Sequence, residues 1–180
     1  MKRFVLSFLV ALTMAFTAQA QDVDKENLLY LDLKDGRVVI QMRPDLAPKH
    51  VERFKMLSRK GFYDNTPIHR VIPGFMAQMG DPTGRGTGGS DYPDLKAEFS
   101  SEPHVRGTLS TARTRNPNSA NSQFFIMFDR ASHLDNQYTV WGHVIKGMEF
   151  VDMIAPGEGR GGIVEVPDRI IKMQVAADVK

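Results

Sequence analysis

The sequence of 180 residues contains no cysteine. Disulfide bonds, thiolate nucleophiles and lipid attachment through a cysteine behind a leader peptide are therefore excluded. An excess of charge of one sign is also missing, because 23 Lys and Arg residues stand against 21 Asp and Glu residues. Nucleic-acid binding needs a clustered basic surface, so this balance argues against a nucleic-acid partner.

Compact metal and catalytic motifs are missing as well. The five histidines are scattered, and neither H-E-x-x-H nor a G-x-S-x-G elbow occurs, so a metal site and a serine hydrolase are both unsupported. A formal G-x-G-x-x-G stands at Gly84, Gly86 and Gly89, but a proline and no helical period follow it. A dinucleotide site needs a helix at that point. We therefore expect a flexible surface loop, and no cofactor.

The apolar run at the N-terminus is short. Lys2 and Arg3 precede apolar residues 4–16, and Ala18-Gln19-Ala20 fits a small-x-small cleavage site. This pattern predicts a signal peptide over residues 1–20, whereas a spanning helix needs about 20 apolar residues. We expect a periplasmic or secreted protein with no stable membrane association after cleavage. Cleavage after Ala20 leaves 23 − 2 = 21 basic against 21 acidic residues, a mature net charge of zero.

The remaining chain, residues 21–180, is expected to form one domain. Two apolar runs flank Asp35-Gly36, which predicts a β-hairpin with a two-residue turn. Beyond Gly61, short apolar runs alternate with clusters of Gly, Pro, Asn and Asp. This pattern is typical of an all-β barrel or sandwich.

Two helices are expected within this domain. The first begins near Pro48 and places Val51, Phe54 and Leu57 on one face before Gly61 ends it. A second, short helix is expected at residues 148–154.

The stretch from Phe62 to Ser90 contains an arginine, Arg70, inside an apolar, strand-like run. A charged side chain is costly to bury without a partner, so Arg70 is either held by a carboxylate on a rim or serves a function. Pro73-Gly74 marks a turn, which can return Phe75 to the side of the sheet that carries the arginine. The stretch therefore offers a guanidinium beside an aromatic wall, with the Gln78 amide nearby.

Three blocks of this sequence resemble the cyclophilin-type peptidyl-prolyl isomerases, in the order expected for that family. The first contains Phe62-Tyr63-Asp64, residues 68–76, Gln78 and Gly80-Asp81. The second is Ser122-Gln123-Phe124-Phe125-Ile126, and the third runs from Leu134 to Gly142. The resemblance extends from about Asn27 to the C-terminus.

The resemblance implies an all-β fold: a closed antiparallel barrel of eight strands with two capping helices. It also implies cis-trans isomerisation of Xaa-Pro bonds in proline-containing polypeptide clients, without a cofactor. Arg70, Phe75 and Gln78 match the family's catalytic positions. The positions that match its substrate-binding residues are Met76, Ala112, Arg113, Gln123, Phe124, Leu134 and Tyr138.

Two positions depart from the commonest pattern of the family. Arg113 occupies a position that carries arginine in bacterial members and asparagine in eukaryotic ones, and residues 111–122 also resemble the bacterial branch. His133 replaces an aromatic residue of many members, which is expected to weaken the family's cyclosporin contact. With the signal peptide, these features indicate an exported bacterial member that assists the folding of exported proteins as a monomer.

Two other functional classes are compatible with parts of the pattern. A non-catalytic chaperone could bind prolyl peptides in the same pocket, but it would have no use for a donor such as Arg70. A carrier of the lipocalin type would bind its ligand inside the barrel, whereas the resemblance places the site on the outer wall and small barrels are often filled by side chains.

Overall fold

The computed structural model describes residues 24–179, so the predicted signal peptide lies outside the described residues. Within this range, two α-helices and eight strands follow one another, with three short 3-10 turns. The helices are α1 (Pro48–Arg59) and α2 (Met148–Asp152). The strands are β1 (Leu28–Leu33), β2 (Gly36–Met42), β3 (Arg70–Ile72), β4 (Met76–Met79), β5 (Thr108–Thr111), β6 (Phe124–Met127), β7 (Val140–Lys146) and β8 (Lys172–Val175).

Strands β1 and β2 form the predicted hairpin. Leu33 pairs with Gly36, so the turn consists of Lys34 and Asp35 and lies one residue before the predicted position. A β-carbon at Gly36 would lie 2.5 Å from the Phe150 ring, so the close approach of α2 requires glycine at the first position of β2. The alternation of buried and more exposed residues along β1 is what a sheet with one covered face requires.

The strands form one antiparallel sheet in the order β3-β4-β6-β5-β7-β2-β1-β8. The prediction of eight antiparallel strands is therefore confirmed. The predicted closure of the barrel is not confirmed. The sheet is curled but open, and within residues 24–179 no ladder joins β8 to β3. The free edge of β3 instead contacts a later segment, where Arg70 bridges Ile163 and Pro67 bridges Arg169.

Helix α1 buries the face that its sequence predicts. Val51, Phe54 and Leu57 all lie in the main core. The Phe54 ring stacks on Trp141 of β7 with a centroid distance of 4.0 Å, so α1 is fixed against the concave side of the sheet. Proline at the first helical position removes no hydrogen bond there.

The second helix matches its predicted position over most of its length. Helix α2 contains five residues and buries Val151 in the same core. Among residues 24–179, no helix has the length and hydropathy needed to cross a membrane.

Candidate functional site

The sheet carries a hydrophobic cluster on each of its two sides. The larger one, beneath α1, includes Ala77 and Met79 of β4 and Phe124 and Ile126 of β6. The smaller cluster lies on the outer side of the sheet and contains residues of the same two strands that alternate with those of the larger cluster. Its buried members are Met76, Phe125, Met127, Ala131 and Leu134. Successive side chains of a strand point to opposite faces, so two strands supply both clusters.

Arg70 stands beside the outer cluster because a tight turn folds β4 back along β3. The register pairs Arg70 with Gln78, and Pro73-Gly74 lies in the turn between the two strands. Gly74 has φ +71°, a conformation that glycine adopts without strain. Phe75 leaves this turn on the arginine side, as the sequence predicted.

An open pocket connects the guanidinium with the outer cluster. Phe75, Met76, Phe125 and Leu134 form its apolar walls. The full set of lining residues is Arg70, Phe75, Met76, Gln78, Ala112, Arg113, Phe125, His133, Leu134, Gln137 and Tyr138. Eight of the ten predicted site residues therefore meet around one depression, and the two exceptions are Gln123 and Phe124.

Phe124 does not line the pocket, and the prediction for this residue was wrong. Its side chain is 0% exposed and packs edge-on against Phe54 and Trp141 in the main core. Phe125, its neighbour in β6, occupies the pocket wall and contacts Tyr138 edge-on at a centroid distance of 5.8 Å. Adjacent strand residues face opposite sides, so only one phenylalanine of the pair can reach the pocket.

The register of the sheet contains the signal that would have identified Phe125. Arg70 pairs with Gln78, and Gln78 pairs with Phe125 on the next strand. Residues directly opposite each other in antiparallel strands share a face, so these three side chains stand in one row. The sequence motif contains both phenylalanines, but the alignment of β4 with β6 cannot be inferred from it.

Arg70 itself is held by two neutral oxygen atoms. Its Nε–H donates to the Gly161 carbonyl at 2.9 Å, and an N–H of its Nη1 donates to Gln78 Oε1 at 3.0 Å. Among the residues that the structure describes, no carboxylate forms an ion pair with it. The interpretation of Arg70 as an arginine tied to a carboxylate on a rim is therefore not supported.

Gln123 lies in the adjacent groove and is linked to Arg70 through Gln78. Gln78 Nε2 donates to Gln123 Oε1 at 2.8 Å, and Gln123 Nε2 donates to the Gly88 carbonyl at 2.8 Å. Each amide thus accepts from one neighbour and donates to the next. The direction of this series of hydrogen bonds fixes the orientation of each amide: Gln78 Oε1 faces Arg70, and Gln78 Nε2 faces Gln123.

Hydrogen bonds anchor the glycine-rich loop at the end of this series. The carboxylate of Asp81, which is 0% exposed, accepts hydrogen bonds from the backbone N–H groups of Thr83 and Gly88 at 2.8 and 3.0 Å. No helix begins within residues 90–103, so the arrangement needed for a dinucleotide is absent from this described segment. The loop instead borders the groove beside Gln123.

The lining of the pocket contains a second arginine. The Arg113 guanidinium lies over the Tyr138 ring at 4.3 Å from its centroid and donates to the Gln137 carbonyl at 2.7 Å. His133 stands nearby, with its ring 5.7 Å from that of Phe75. His133 and Gln137 were not among the predicted site residues, although the sequence analysis noted the exchange at His133.

Behind the pocket wall, three polar side chains form a row in which His104 and Ser110 are buried and Asp135 is partly exposed. His104 contacts Asp135 Oδ1 through Nδ1 at 3.1 Å and Ser110 Oγ through Nε2 at 2.8 Å. His104 and Ser110 are both 0% exposed, so this Ser-His-Asp arrangement cannot reach a substrate. Its role is structural, because the His104 ring stacks behind Phe125 at 6.4 Å.

Burial lowers the pKa of His104, and the nearby Asp135 carboxylate opposes this shift. Hydrogen bonds from Arg130 and from the His104 backbone lower the pKa of Asp135, so its carboxylate stays charged. The structure describes no group of three or more His, Asp or Glu residues that could hold a metal ion.

Comparisons with known proteins identify the family. The family model described as cyclophilin type peptidyl-prolyl cis-trans isomerase matches residues 28–175. The chain is a cyclophilin. A Brucella suis protein named "probable peptidyl-prolyl cis-trans isomerase" is 54% identical, and the match covers 95% of this chain and 93% of that protein. Peptidyl-prolyl cis-trans isomerase B of Bacillus subtilis is 40% identical, with 72% of this chain and 91% of that protein covered.

Solved cyclophilins have the same fold. Cyclophilin AquaCyp293 of Hirschia baltica superposes with a TM-score of 0.78 at 27% identity, covering 88% of this chain and 77% of that one. A Cryptosporidium parvum cyclophilin-type isomerase, crystallised in the presence of the dipeptide Ala-Pro, gives 0.76 at 28% identity, covering 82% and 98%. The chain is therefore a cyclophilin-type peptidyl-prolyl cis-trans isomerase, as its motifs predicted.

The two phenylalanines of β6 provide a test of the pocket in this cyclophilin. We expect Phe125→Leu to lower kcat/KM by about tenfold, because a smaller side chain leaves part of the apolar wall missing. Phe124→Leu should leave kcat/KM within about twofold but cost about 1 to 3 kcal/mol of unfolding free energy, because it opens a void in the main core. Peptide isomerisation assays and urea denaturation measure the two effects. Equal losses of activity in both variants would contradict this division of the strand.

The buried histidines predict how stability depends on pH. The folded-state pKa of His104 lies below its unfolded value, so the folded protein binds fewer protons and stability increases with pH. This stabilisation is present above the unfolded pKa and is lost as pH falls below about 6.5. Burial lowers the pKa values of His50, His69 and His143 in the same direction.

We therefore expect the free energy of unfolding to be smaller at pH 5.5 than at pH 7.5 in urea titrations. His104→Gln should reduce this difference without abolishing it, because the other three histidines remain. A free energy of unfolding that stays constant or rises on acidification would show that these histidines do not resist protonation.

Proposed function

We propose that this cyclophilin catalyses rotation about Xaa-Pro bonds with Arg70 as the hydrogen-bond donor. The observation that carries the proposal is a guanidinium that has no carboxylate partner among residues 24–179 and lines an open pocket with apolar walls. A guanidinium has five N–H donors, and the bonds to Gly161 and Gln78 use two of them. The remaining 5 − 2 = 3 donors form no hydrogen bond within residues 24–179, and we propose that a substrate accepts from them.

The reaction requires a twisted amide to be favoured over a planar one. Amide resonance opposes rotation with a barrier of about 18–20 kcal/mol. As the bond twists, the proline nitrogen becomes pyramidal and regains a lone pair. A donor directed at this nitrogen stabilises the twisted state but gains little from the planar one, which is the condition for catalysis. No bond is cleaved, and neither a proton nor an electron leaves the substrate.

The apolar walls are suited to a proline ring. The open depression has four apolar wall residues, which all belong to the outer hydrophobic cluster or pack against it: Phe75, Met76, Phe125 and Leu134. The ring carries no N–H group, so it enters such walls without losing a hydrogen bond. Gln78 is held by its bonds to Arg70 and Gln123. We propose that it binds the substrate backbone and the moving carbonyl. The Ala-Pro dipeptide used with the Cryptosporidium relative supports proline-containing peptides as ligands of this pocket.

The mutation Arg70→Ala tests the role of the arginine. We expect kcat/KM to fall by about 10²–10³-fold, because a donor that acts in the twisted state is lost. The melting temperature should change little, since Arg70 is only half-buried and bonds to neutral oxygens. A protease-free NMR exchange assay on a short proline peptide measures turnover directly.

Arg37→Ala is the matched control, since Arg37 is an exposed arginine paired with Asp32 on the first hairpin. It should leave turnover unchanged. Peptide affinity should fall far less than turnover in Arg70→Ala. Full activity in Arg70→Ala would remove Arg70 from the mechanism. A wild-type protein that binds the peptide without accelerating exchange would favour the non-catalytic chaperone.

The N-terminal sequence supports a proposal for the site of action in the cell. We propose that residues 1–20 direct export and that the mature domain, residues 21–180, acts as a monomer on exported polypeptides. The support is the basic start, apolar run and Ala18-Gln19-Ala20 site of the sequence. Expression of the full chain in a bacterial host should give a periplasmic or secreted product that begins at Gln21, by cell fractionation and N-terminal sequencing. A cytoplasmic product that retains Met1 would contradict export.

A further inference from the structure

A segment far from the catalytic motif in sequence covers the free edge of β3. This segment, residues 157–164, folds back on itself and is called the glycine hairpin here. The Gly157 N–H donates to the Val71 carbonyl at 3.0 Å, and the Val71 N–H donates to the Gly162 carbonyl at 2.7 Å. These bonds satisfy the backbone of an edge strand that would otherwise be open to another chain.

The same attachment places one carbonyl group against Arg70. Gly161 precedes the residue that bonds to Val71, and its carbonyl accepts the Nε–H of Arg70 at 2.9 Å. Gln78 accepts from the far side of the guanidinium. An arginine held at both Nε and Nη1 has its guanidinium plane fixed, because these two bonds define its orientation.

We infer that the Gly161 carbonyl is a positioning group for catalysis and that the glycine hairpin sets the direction of the Arg70 donors. This inference rests on the proposed role of Arg70. A flexible arginine would have to be oriented during each turnover, whereas a fixed one is already directed at the proline nitrogen. Misplacement of a catalytic group by about 1 Å can cost about a hundredfold in rate.

Gly162 makes the inference testable, because it has no room for a side chain. Its φ is +69°, and a β-carbon would lie 2.4 Å from Ile72 Cγ1 and 2.7 Å from the Val71 carbonyl oxygen. An alanine at this position would therefore push the hairpin away from β3. The adjoining Gly161 carbonyl would move away from Arg70 with it.

Gly159 provides the matched control within the same hairpin. Its φ of +60° imposes a similar backbone strain on alanine, but a β-carbon there would meet nothing within 4 Å. Gly159→Ala thus reproduces the strain of Gly162→Ala without displacing the hairpin from β3.

The experiment compares kcat and KM of the two alanine variants with a short proline peptide. We expect Gly162→Ala to lower kcat by about tenfold to a hundredfold with KM within about twofold, and Gly159→Ala to leave both unchanged. Wild-type kcat in Gly162→Ala would overturn the inference. Equal losses of kcat in both glycine variants would also overturn the inference, because backbone strain in the hairpin would then explain both losses.

A double-mutant cycle separates positioning from a general structural role. In the Arg70→Ala background, Gly162→Ala should change kcat by less than about twofold, because no donor remains to be oriented. The same factor in both backgrounds would mean that the hairpin acts independently of Arg70 and would overturn the inference. If Arg70→Ala alone keeps full activity, the proposed function fails. If Gly162→Ala keeps full activity and Arg70→Ala does not, the hairpin inference fails and the proposed function stands.

Arg70→Lys keeps the inference testable should Gly162→Ala fold poorly. Lysine retains the charge but lacks the planar fork that the Gly161 and Gln78 oxygens hold. We expect its kcat to fall nearly as far as in Arg70→Ala, with the melting temperature maintained. Wild-type turnover in Arg70→Lys would show that a fixed orientation is not required, and would overturn the inference.

Discussion

The alternation of side chains across β4 and β6 is the constraint on which the rest of this structure depends. Along each of these strands, every second residue packs in the core beneath α1, and the residues between them face the pocket side of the sheet. The site therefore stands directly on the hydrophobic core, with only the thickness of one sheet between them. Such a base gives the pocket walls little freedom to move, which favours a catalyst that orients its substrate.

The polar parts of the site are held by a continuous chain of hydrogen bonds. It begins at the Gly161 carbonyl, passes through the side chains of Arg70, Gln78 and Gln123, and ends at the Gly88 carbonyl. Both ends are backbone groups of glycine-containing loops. The carboxylate of Asp81 fixes the second loop, and the edge of β3 fixes the first. Two glycine-containing loops are thus supports of the site.

Histidine, serine and carboxylate groups are present near the pocket, but their burial decides what they do. His104 and Ser110 lie behind Phe125, where desolvation disfavours the imidazolium and no substrate can enter. They pack the wall from behind. Arg70 lines the open pocket and is hydrogen-bonded to two neutral oxygen atoms. In the mechanism that we propose, a hydrogen-bond donor and a shaped apolar surface are sufficient.

The sequence by itself determined the local elements, the family and most of the residues that line the pocket. Asp35-Gly36 predicted the first hairpin to within one residue, the spacing of Val51, Phe54 and Leu57 predicted α1, and Pro73-Gly74 predicted the turn that returns Phe75 to the arginine. Each of these signals depends on neighbours a few positions away, so each can be read along the chain. The three cyclophilin motifs then supplied the fold and the reaction.

The tertiary structure alone decided which phenylalanine of β6 faces the pocket, whether the curled sheet closes, and what holds Arg70. A strand of period two can be placed on a sheet in either phase, and only its pairing with β4 selects Phe125. The bond from Arg70 to Gly161 joins residues 91 positions apart and uses a backbone carbonyl, a group that every residue possesses. No residue type marks such an acceptor, so folding is what reveals it.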